Sequence, residues 1–296
     1  MIIEDHYKIP AQSLTSLAFM NLIKSITSSF AAGIFMLCIQ PTMSFSQESN
    51  STSLRKIENS TFQHGEYLEY RVFYDSWLTS WITAGSGSME ISEEPVTMAG
   101  RETYHIIVEG NSEGVFNWFF KVRDRFETYL DKEAIAPLKF VRRTREGSYV
   151  KDDDVYFDHI KGSAKSRTTT KSVPVYVQDI ISAFYYLRTF NFDSVEMGDE
   201  FFLNFYLDDS VYSSKIVFNG REVIKTDFGK ISCLRFKPEV AVGEVFTQPY
   251  PMELWVTDDK NKIPVLGKSG VFVGSVTIEL TKFEHLRYPV ITVPGK

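Results

Sequence analysis

The sequence predicts a mainly β protein, a large curved antiparallel sheet or open, incomplete β-barrel with one principal α-helix at about 179–190. Three observations predict it. Apolar and polar residues alternate through most of the chain from Phe62 onward, turn-forming clusters separate the alternating runs, and aromatic residues reach 15% of the composition, with 24 Phe and 15 Tyr. Alternation of period two puts every second side chain on one face of a strand. Large flat side chains favour strands, and they either thicken a core or line an apolar cavity.

The N-terminal region reads as an address label, not as part of the sheet. From Met20 the chain runs MNLIKSITSSFAAGIFMLCIQPTMSFSQ. Lys24 supplies a short positive region, Ile26 to Ile39 an apolar stretch, Pro41 a break, and Ser44-Phe45-Ser46 a small-x-small cleavage site, the layout of a secretory signal peptide. The apolar stretch is too short for a bilayer span of about 20 residues, so no retained transmembrane segment is expected. Cys38 follows Leu37, not the small residue that lipidation requires, so the protein is not expected to be a lipoprotein. Glu4 and Asp5 precede the positive region and point to translation starting at Met20. The expected organisation is an N-terminal extension and signal peptide over 1–46, cleaved after Ser46, a polar flexible leader over 47–61, and a single β-rich domain over 62–290. Such a product is periplasmic or extracellular.

Within the domain, Leu68, Tyr70, Val72 and Tyr74 form one apolar face while Glu69 and Arg71 fall on the other. Tyr104, Ile106 and Val108 repeat the pattern, as do Val276, Ile278 and Leu280. Asn219-Gly220, Asp227-Phe228-Gly229 and Ala84-Gly85-Ser86-Gly87 are among the turn signals between runs. Residues 113–120, EGVFNWFF, read as a short helix or turn before a strand at Arg123–Asp131, and Phe116, Trp118, Phe119 and Phe120 read as a core plug. The polar stretch 160–178 separates two groups of strands, about 62–171 and 199–289. In Asp179–Phe190, an aspartate suited to helix capping precedes Ile180, Phe184 and Leu187 at intervals of four and three.

A formal net charge of −6 and a pI near 5.5 leave no global basic field to hold nucleic acid or an anionic membrane. The two cysteines are Cys38 and Cys233. Once the first is removed, one thiol makes neither an internal disulfide nor a Cys-based zinc site. Cys233 sits in a strand pattern and reads as a core thiol. No HExxH, P-loop, dinucleotide fingerprint or Gly-x-Ser-x-Gly elbow is present, so no catalytic residue, metal or cofactor is assigned. The adjacent Asp258 and Asp259 lie between apolar runs beside Lys260-Asn261-Lys262 and read as a hairpin corner, because Asp and Asn side chains bond their own backbone. Asp208-Asp209 reads the same way. Asp152-Asp153-Asp154 lacks the spacing of a calcium loop and reads as a solvated hairpin edge. The candidate ligand site is cationic. Lys121, Arg123 and Arg125 share a face if their run is a strand, as do Arg143 and Arg145, and pairing of the two strands would line five cations on one surface able to hold an acidic headgroup or glycan.

Four stretches carry a family resemblance: FQHGEYLEYRVFY at 62–74, VRDRFETYLDKEAIAPLKF at 122–140, DIISAFYYLR at 179–188 and LWVTDDKNKIPV at 254–265. In this order they resemble the exported bacterial family known as domain of unknown function 3108. The resemblance implies export and a β-rich fold, and it implies no reaction, cofactor or catalytic residue. The curved sheet with a helix is also similar to the architecture of periplasmic lipoprotein carriers, a likeness of fold alone. The leading expectation is a non-enzymatic envelope protein binding a hydrophobic or amphipathic component, a lipid or acidic glycan. A second is an envelope assembly factor that binds another protein through its sheet edges. A third is a hydrolase using carboxylates such as Asp124, Glu127 or Asp153.

Overall fold

The computed structural model describes residues 53–76, 79–239, 252–270 and 274–294. The signal peptide, its cleavage site and most of the leader lie outside the described residues. The strands are β1 (Tyr67–Ser76), β2 (Thr79–Ile91), β3 (Val96–Met98), β4 (Arg101–Ser112), β5 (Arg123–Asp131), β6 (Pro137–Glu146), β7 (Tyr149–Asp158), β8 (Ser163–Lys165) and β9 (Thr170–Ser172). After the principal helix come β10 (Glu200–Leu207), β11 (Ser210–Thr226), β12 (Gly229–Pro238), β13 (Met252–Thr257), β14 (Pro264–Gly270), β15 (Ser275–Glu284) and β16 (Thr292–Val293). All belong to one antiparallel sheet in the order β10-β11-β12-β13-β14-β15-β1-β2-β4-β5-β6-β7-β8-β9, with β3 on β4 and β16 on β12. The predicted fold class is therefore borne out. The two groups of strands separated by 160–178 are joined through β1 and β15, whose register pairs Val72 with Ile278.

Alternation settles which face turns inward. In β5, Asp124, Phe126, Thr128 and Leu130 are buried while Arg123, Arg125, Glu127 and Tyr129 are only partly so. β1 does the same with Leu68, Tyr70, Val72 and Tyr74, the four residues whose spacing predicts it. The inner face receives helix α2 (Ile180–Arg188), and α1 (Gly114–Phe119) links β4 to β5. α2 begins in a capping box. Asp179 Oδ1 accepts from the backbone N–H groups of Ile181 and Ser182, both at 2.8 Å, and Ser182 Oγ accepts from Asp179 N at 2.8 Å. This satisfies donors that a buried helix end would otherwise leave without partners. Thr128 Oγ1 donates to Asp179 Oδ2 at 2.5 Å, which pins the cap to β5.

The edge strands β9 and β10 do not pair with each other. Gln178, just ahead of α2, bonds the β10 edge instead, donating to Asn204 O at 2.9 Å and accepting from Tyr206 N at 2.7 Å. The β10–β11 hairpin tip crosses to the other end of the sheet, where Asp208 pairs with Arg142 at 3.3 Å and Lys151 at 3.2 Å. Thr168 Oγ1 donates to Asp209 Oδ2 at 2.5 Å. The sheet thus curls until its ends touch through side chains, without closing a ladder.

LWVTDDKNKIPV proves to be a corner with a structural task. Asp259 Oδ1 accepts from Thr257 Oγ1 at 2.6 Å, Asn261 N at 2.8 Å and Lys262 N at 3.2 Å. The tight turn leaves Lys262 at φ +50° and presents the carbonyl of Asn261 inward, where the guanidinium of Arg188 donates to it at 2.9 and 3.1 Å. Arg188 also makes a bidentate pair with Glu66, at 2.5 and 2.8 Å. Both side chains are inaccessible, at 2% and 0% exposure. One ion pair therefore ties the end of α2 to the entry of β1 and to the β13–β14 corner.

Candidate functional site

α2 does not fill the space above the inner face. Between it and the β10–β15 half of the sheet lies a partly open apolar groove with room of about 90 Å3, lined among others by Tyr70, Phe184, Leu187, Leu203, Met252 and Ile278. An adjoining lobe of about 60 Å3 continues past Phe184 and Leu187 to Phe192, Phe201, Phe236 and Lys262. The room is small beside that of most small-molecule sites, so the apolar lining of the groove, more than its volume, is what marks it. Two features keep the space open. Position 267 on β14 is a glycine whose cross-strand partners, Leu254 and Ile278, both line the groove, and Ala183 is the smallest side chain on the facing side of α2. Polar groups sit only at the margins. Tyr70 Oη donates to Pro264 O at 3.3 Å, Glu253 pairs with Lys237 at 3.0 Å, and Lys262 is partly buried with its pKa lowered by that burial.

The predicted cationic residues occupy the outer face, remote in topology from this groove. β5 and β6 do pair, and Arg125 stands opposite Arg143. Arg125 bonds Glu109 at 2.5 Å and Glu127 at 2.7 Å, Arg143 bonds Asp154 at 2.9 Å, and Arg145 bonds Asp152 at 2.7 Å. Arg123 donates to the carbonyls of Ser112 and Val122, at 3.1 and 2.5 Å. Lys121 is exposed and precedes the strand. Three of the five cations are thus matched by carboxylates on neighbouring strands, which alternation along a single strand could not reveal. The Asp152-Asp153-Asp154 run lies in the length of β7, not at a hairpin edge. Asp152 and Asp154 face outward to their arginines, and alternation turns Asp153 the other way.

The three carboxylates suggested for hydrolysis do not converge. Asp124 faces inward and Glu127 outward, where it accepts from Arg125 and lies 2.7 Å from His105 Nε2. Asp124 meets a different acid, Glu146. Burial and the Asp124 charge push the Glu146 carboxyl up to about 8, and burial raises Asp124 as well. Two carboxyls so close share a proton and titrate as a pair. Asp124 Oδ1 is already engaged by Arg145 N at 2.9 Å. The folded state therefore holds a proton that the unfolded chain, at the ordinary value of 4.5, has released by neutral pH. Stability should fall as pH rises between about 4.5 and 8. Urea midpoints measured across this window should decline for the wild type and flatten in Glu146→Gln; equal slopes would exclude the shared proton.

Cys233 is fully buried, and burial pushes its thiol up to about 12, so it behaves as the core thiol its strand pattern implies. No group of three or more His, Cys, Asp or Glu able to hold a metal occurs among the described residues. No helix there is long and apolar enough to cross a membrane. The aromatic plug predicted at 116–120 is corrected by the structure. Phe116 packs on Tyr74 with ring centres 5.8 Å apart, but Trp118 and Phe119 are 81% and 50% exposed. A six-residue helix on a rim can turn only part of its surface toward the core.

One solved structure supports the fold. A β-barrel-like protein of domain of unknown function DUF1849 from Brucella abortus superposes with a TM-score of 0.50 at 12% identity, covering 75% of this chain and 97% of that one. A candidate lipoprotein from Parabacteroides distasonis covers 79% and 100% at 10% identity, with a TM-score of 0.35. A candidate exported protein with a YmcC-like fold from Bacteroides fragilis covers the same shares at 11% identity and a TM-score of 0.29. The last two superpose too loosely to add to the argument. No curated protein sequence matches this chain. The model of the family described as "Protein of unknown function (DUF3108)" matches residues 69–281, a span that takes in most of β1, the α2 helix, the Asp259 corner and the groove between them, and the chain belongs to that family.

Proposed function

We propose that the protein is an exported envelope component that binds the acyl chain of an amphipathic molecule in the groove between α2 and the β10–β15 face. The observation that carries this reading is the groove itself, an open space whose walls are apolar almost throughout. Empty apolar space in a folded protein forfeits dispersion contacts, and an alkyl chain restores them while leaving water, at about 0.8 kcal/mol per buried methylene. Lys262 at the end of the second lobe suits an anionic headgroup, although the Asp193 and Asp259 charges already act on it in part. The sequence layout of a signal peptide supports an envelope location. Catalysis has less support, since the inward carboxyls Asp124 and Glu146 lie among the β5–β6 strands and neither lines the groove.

The test is organic extraction and mass spectrometry of the mature chain, purified without detergent from a bacterial periplasm, followed by titration with a fluorescent fatty acid. The expected result is an acyl-bearing molecule approaching one per chain, displaced by the probe. An empty protein that also fails to bind the probe would remove the reading and favour an assembly role through protein contacts.

A further inference from the structure

Thirteen large hydrophobic side chains are exposed among the described residues, and six of them gather on one rim of the sheet. Val115, Trp118 and Phe119 project from α1, at 66%, 81% and 50% exposure; Trp81 near the start of β2 is at 54%, and Tyr149 and Val150 at the β6–β7 turn are at 48% and 60%. The register places them together. β1 ends where β2 begins, with Ser76 opposite Thr79. α1 follows the end of β4, and Glu113 N bonds Ala84 O on β2 at 2.9 Å. Glu146 stands opposite both Tyr149 and Val122, and Gly147 N bonds Lys121 O at 2.9 Å, closing the β6–β7 turn onto the end of α1.

We infer that this rim is a membrane-docking tip, inserting its aromatic side chains into the interface of a phospholipid bilayer that contains anionic headgroups. Contiguous exposed apolar surface marks an interaction site in a soluble protein, and the composition here names the partner. Trp and Tyr settle at the headgroup level of a bilayer because their rings are amphipathic. A protruding six-residue helix beside a turn is a wedge, suited to a fluid surface more than to a flat protein face. The cations beside it complete the match. Lys121 is exposed at the foot of α1, and neither it nor Arg123 has a carboxylate partner among the described residues, in contrast to Arg125, Arg143 and Arg145 on the same outer surface. Both are placed to meet lipid phosphates while the rings enter the interface. Burial, with the neighbouring Asp124 charge, pushes the carboxyl of Glu146, the acid of the turn, up to about 8, so the Glu146–Asp124 pair brings one negative charge to the tip near pH 7 where two free carboxylates would bring two.

The same rim carries Met252, the first residue of β13, which lines the first lobe of the groove. Docking therefore brings that lobe close to the bilayer, although the tip stands whether or not the groove holds a ligand.

The test is co-sedimentation of the full mature chain with vesicles of phosphatidylethanolamine and phosphatidylglycerol. The wild type should partition into the vesicle fraction, and Trp118→Ser/Phe119→Ser should lower the partition coefficient by about tenfold or more through lost apolar contact. Lys121→Glu/Arg123→Glu should weaken binding most at low salt. Brominated acyl chains should quench the wild-type fluorescence more than that of Trp118→Phe. Trp118, Phe119 and Lys121 are exposed, so unchanged thermal unfolding is expected of the double serine variant and of Lys121→Glu alone; the latter is the control for the charge reversal, because Arg123 is partly buried and bonds two backbone carbonyls. A wild type that stays in solution overturns the inference, as does vesicle binding undiminished in the double serine variant. A dimer that forms without vesicles and is dissolved by that variant also overturns it, because the patch would then be an interface between copies of this chain.

Discussion

Arg188→Leu is expected to destabilise the protein by about 3–5 kcal/mol, a large share of the stability of any single domain. The substitution removes both donors to Glu66 and both donors to the Asn261 carbonyl. Glu66 is then left with no exposure to water and no counter-charge, and a buried carboxylate in that state must either protonate or pull its strand outward. At about 2–4 °C of melting temperature per kcal/mol for a domain of this size, the loss should appear plainly in thermal unfolding. The pair Glu66→Met/Arg188→Leu separates two causes. Apolar residues of similar volume often replace a buried ion pair without cost, so the double variant should recover most of the loss, and a double-mutant cycle should return a coupling energy of several kcal/mol. A single variant within about 1 kcal/mol of wild type would mean that the pair does not hold α2 in place. The consequence for function lies in the groove, because Arg188 anchors the end of the helix that forms one of its walls.

This anchor also shows what a single sequence can and cannot reveal. The helix is legible because its signals are local: a capping aspartate at 179 and apolar residues at intervals of four and three. The Asp259 corner is legible for the same reason, since its side chain bonds residues within three positions of itself. Arg188 and Glu66 are 122 positions apart. Nothing in the local pattern distinguishes an arginine in the last turn of a helix, where a cation is commonplace, from one that crosses the core. The outer-face cations illustrate the converse. Alternation places Arg125, Arg143 and Arg145 on strands that do pair, but their partners Glu109, Asp154 and Asp152 become visible only when β4 and β7 are laid alongside. The groove is least legible of all, because it is made by what is missing at Gly267 and Ala183, and a sequence pattern records an absent side chain only as one more small residue.

That absence leads to the second large effect, on binding. Gly267→Trp should abolish acyl-chain binding or weaken it by about tenfold or more while leaving the fold intact. A Cβ at this position would come no closer than 3.8 Å to Ile278 Cβ, an ordinary contact, and the residue does not occupy the left-handed region. The backbone therefore accepts a side chain, and a β-strand position gains from an aromatic one. The indole would enter the space bounded by Leu254 and Ile278, replacing the contacts an alkyl chain would make. Each methylene so excluded forfeits about 0.8 kcal/mol, and displacement of only about two of them accounts for a tenfold loss. Filling a void also adds dispersion contacts, so the melting temperature should hold or rise. Fluorescent fatty acid titration and thermal unfolding on the same preparations decide the matter. Weakened binding with an unchanged or higher melting temperature places the ligand in the groove. Unchanged binding would move it elsewhere on the protein, and a lowered melting temperature would show that the space beside Gly267 is too small for an indole and, by the same measure, for the bulk of an acyl chain.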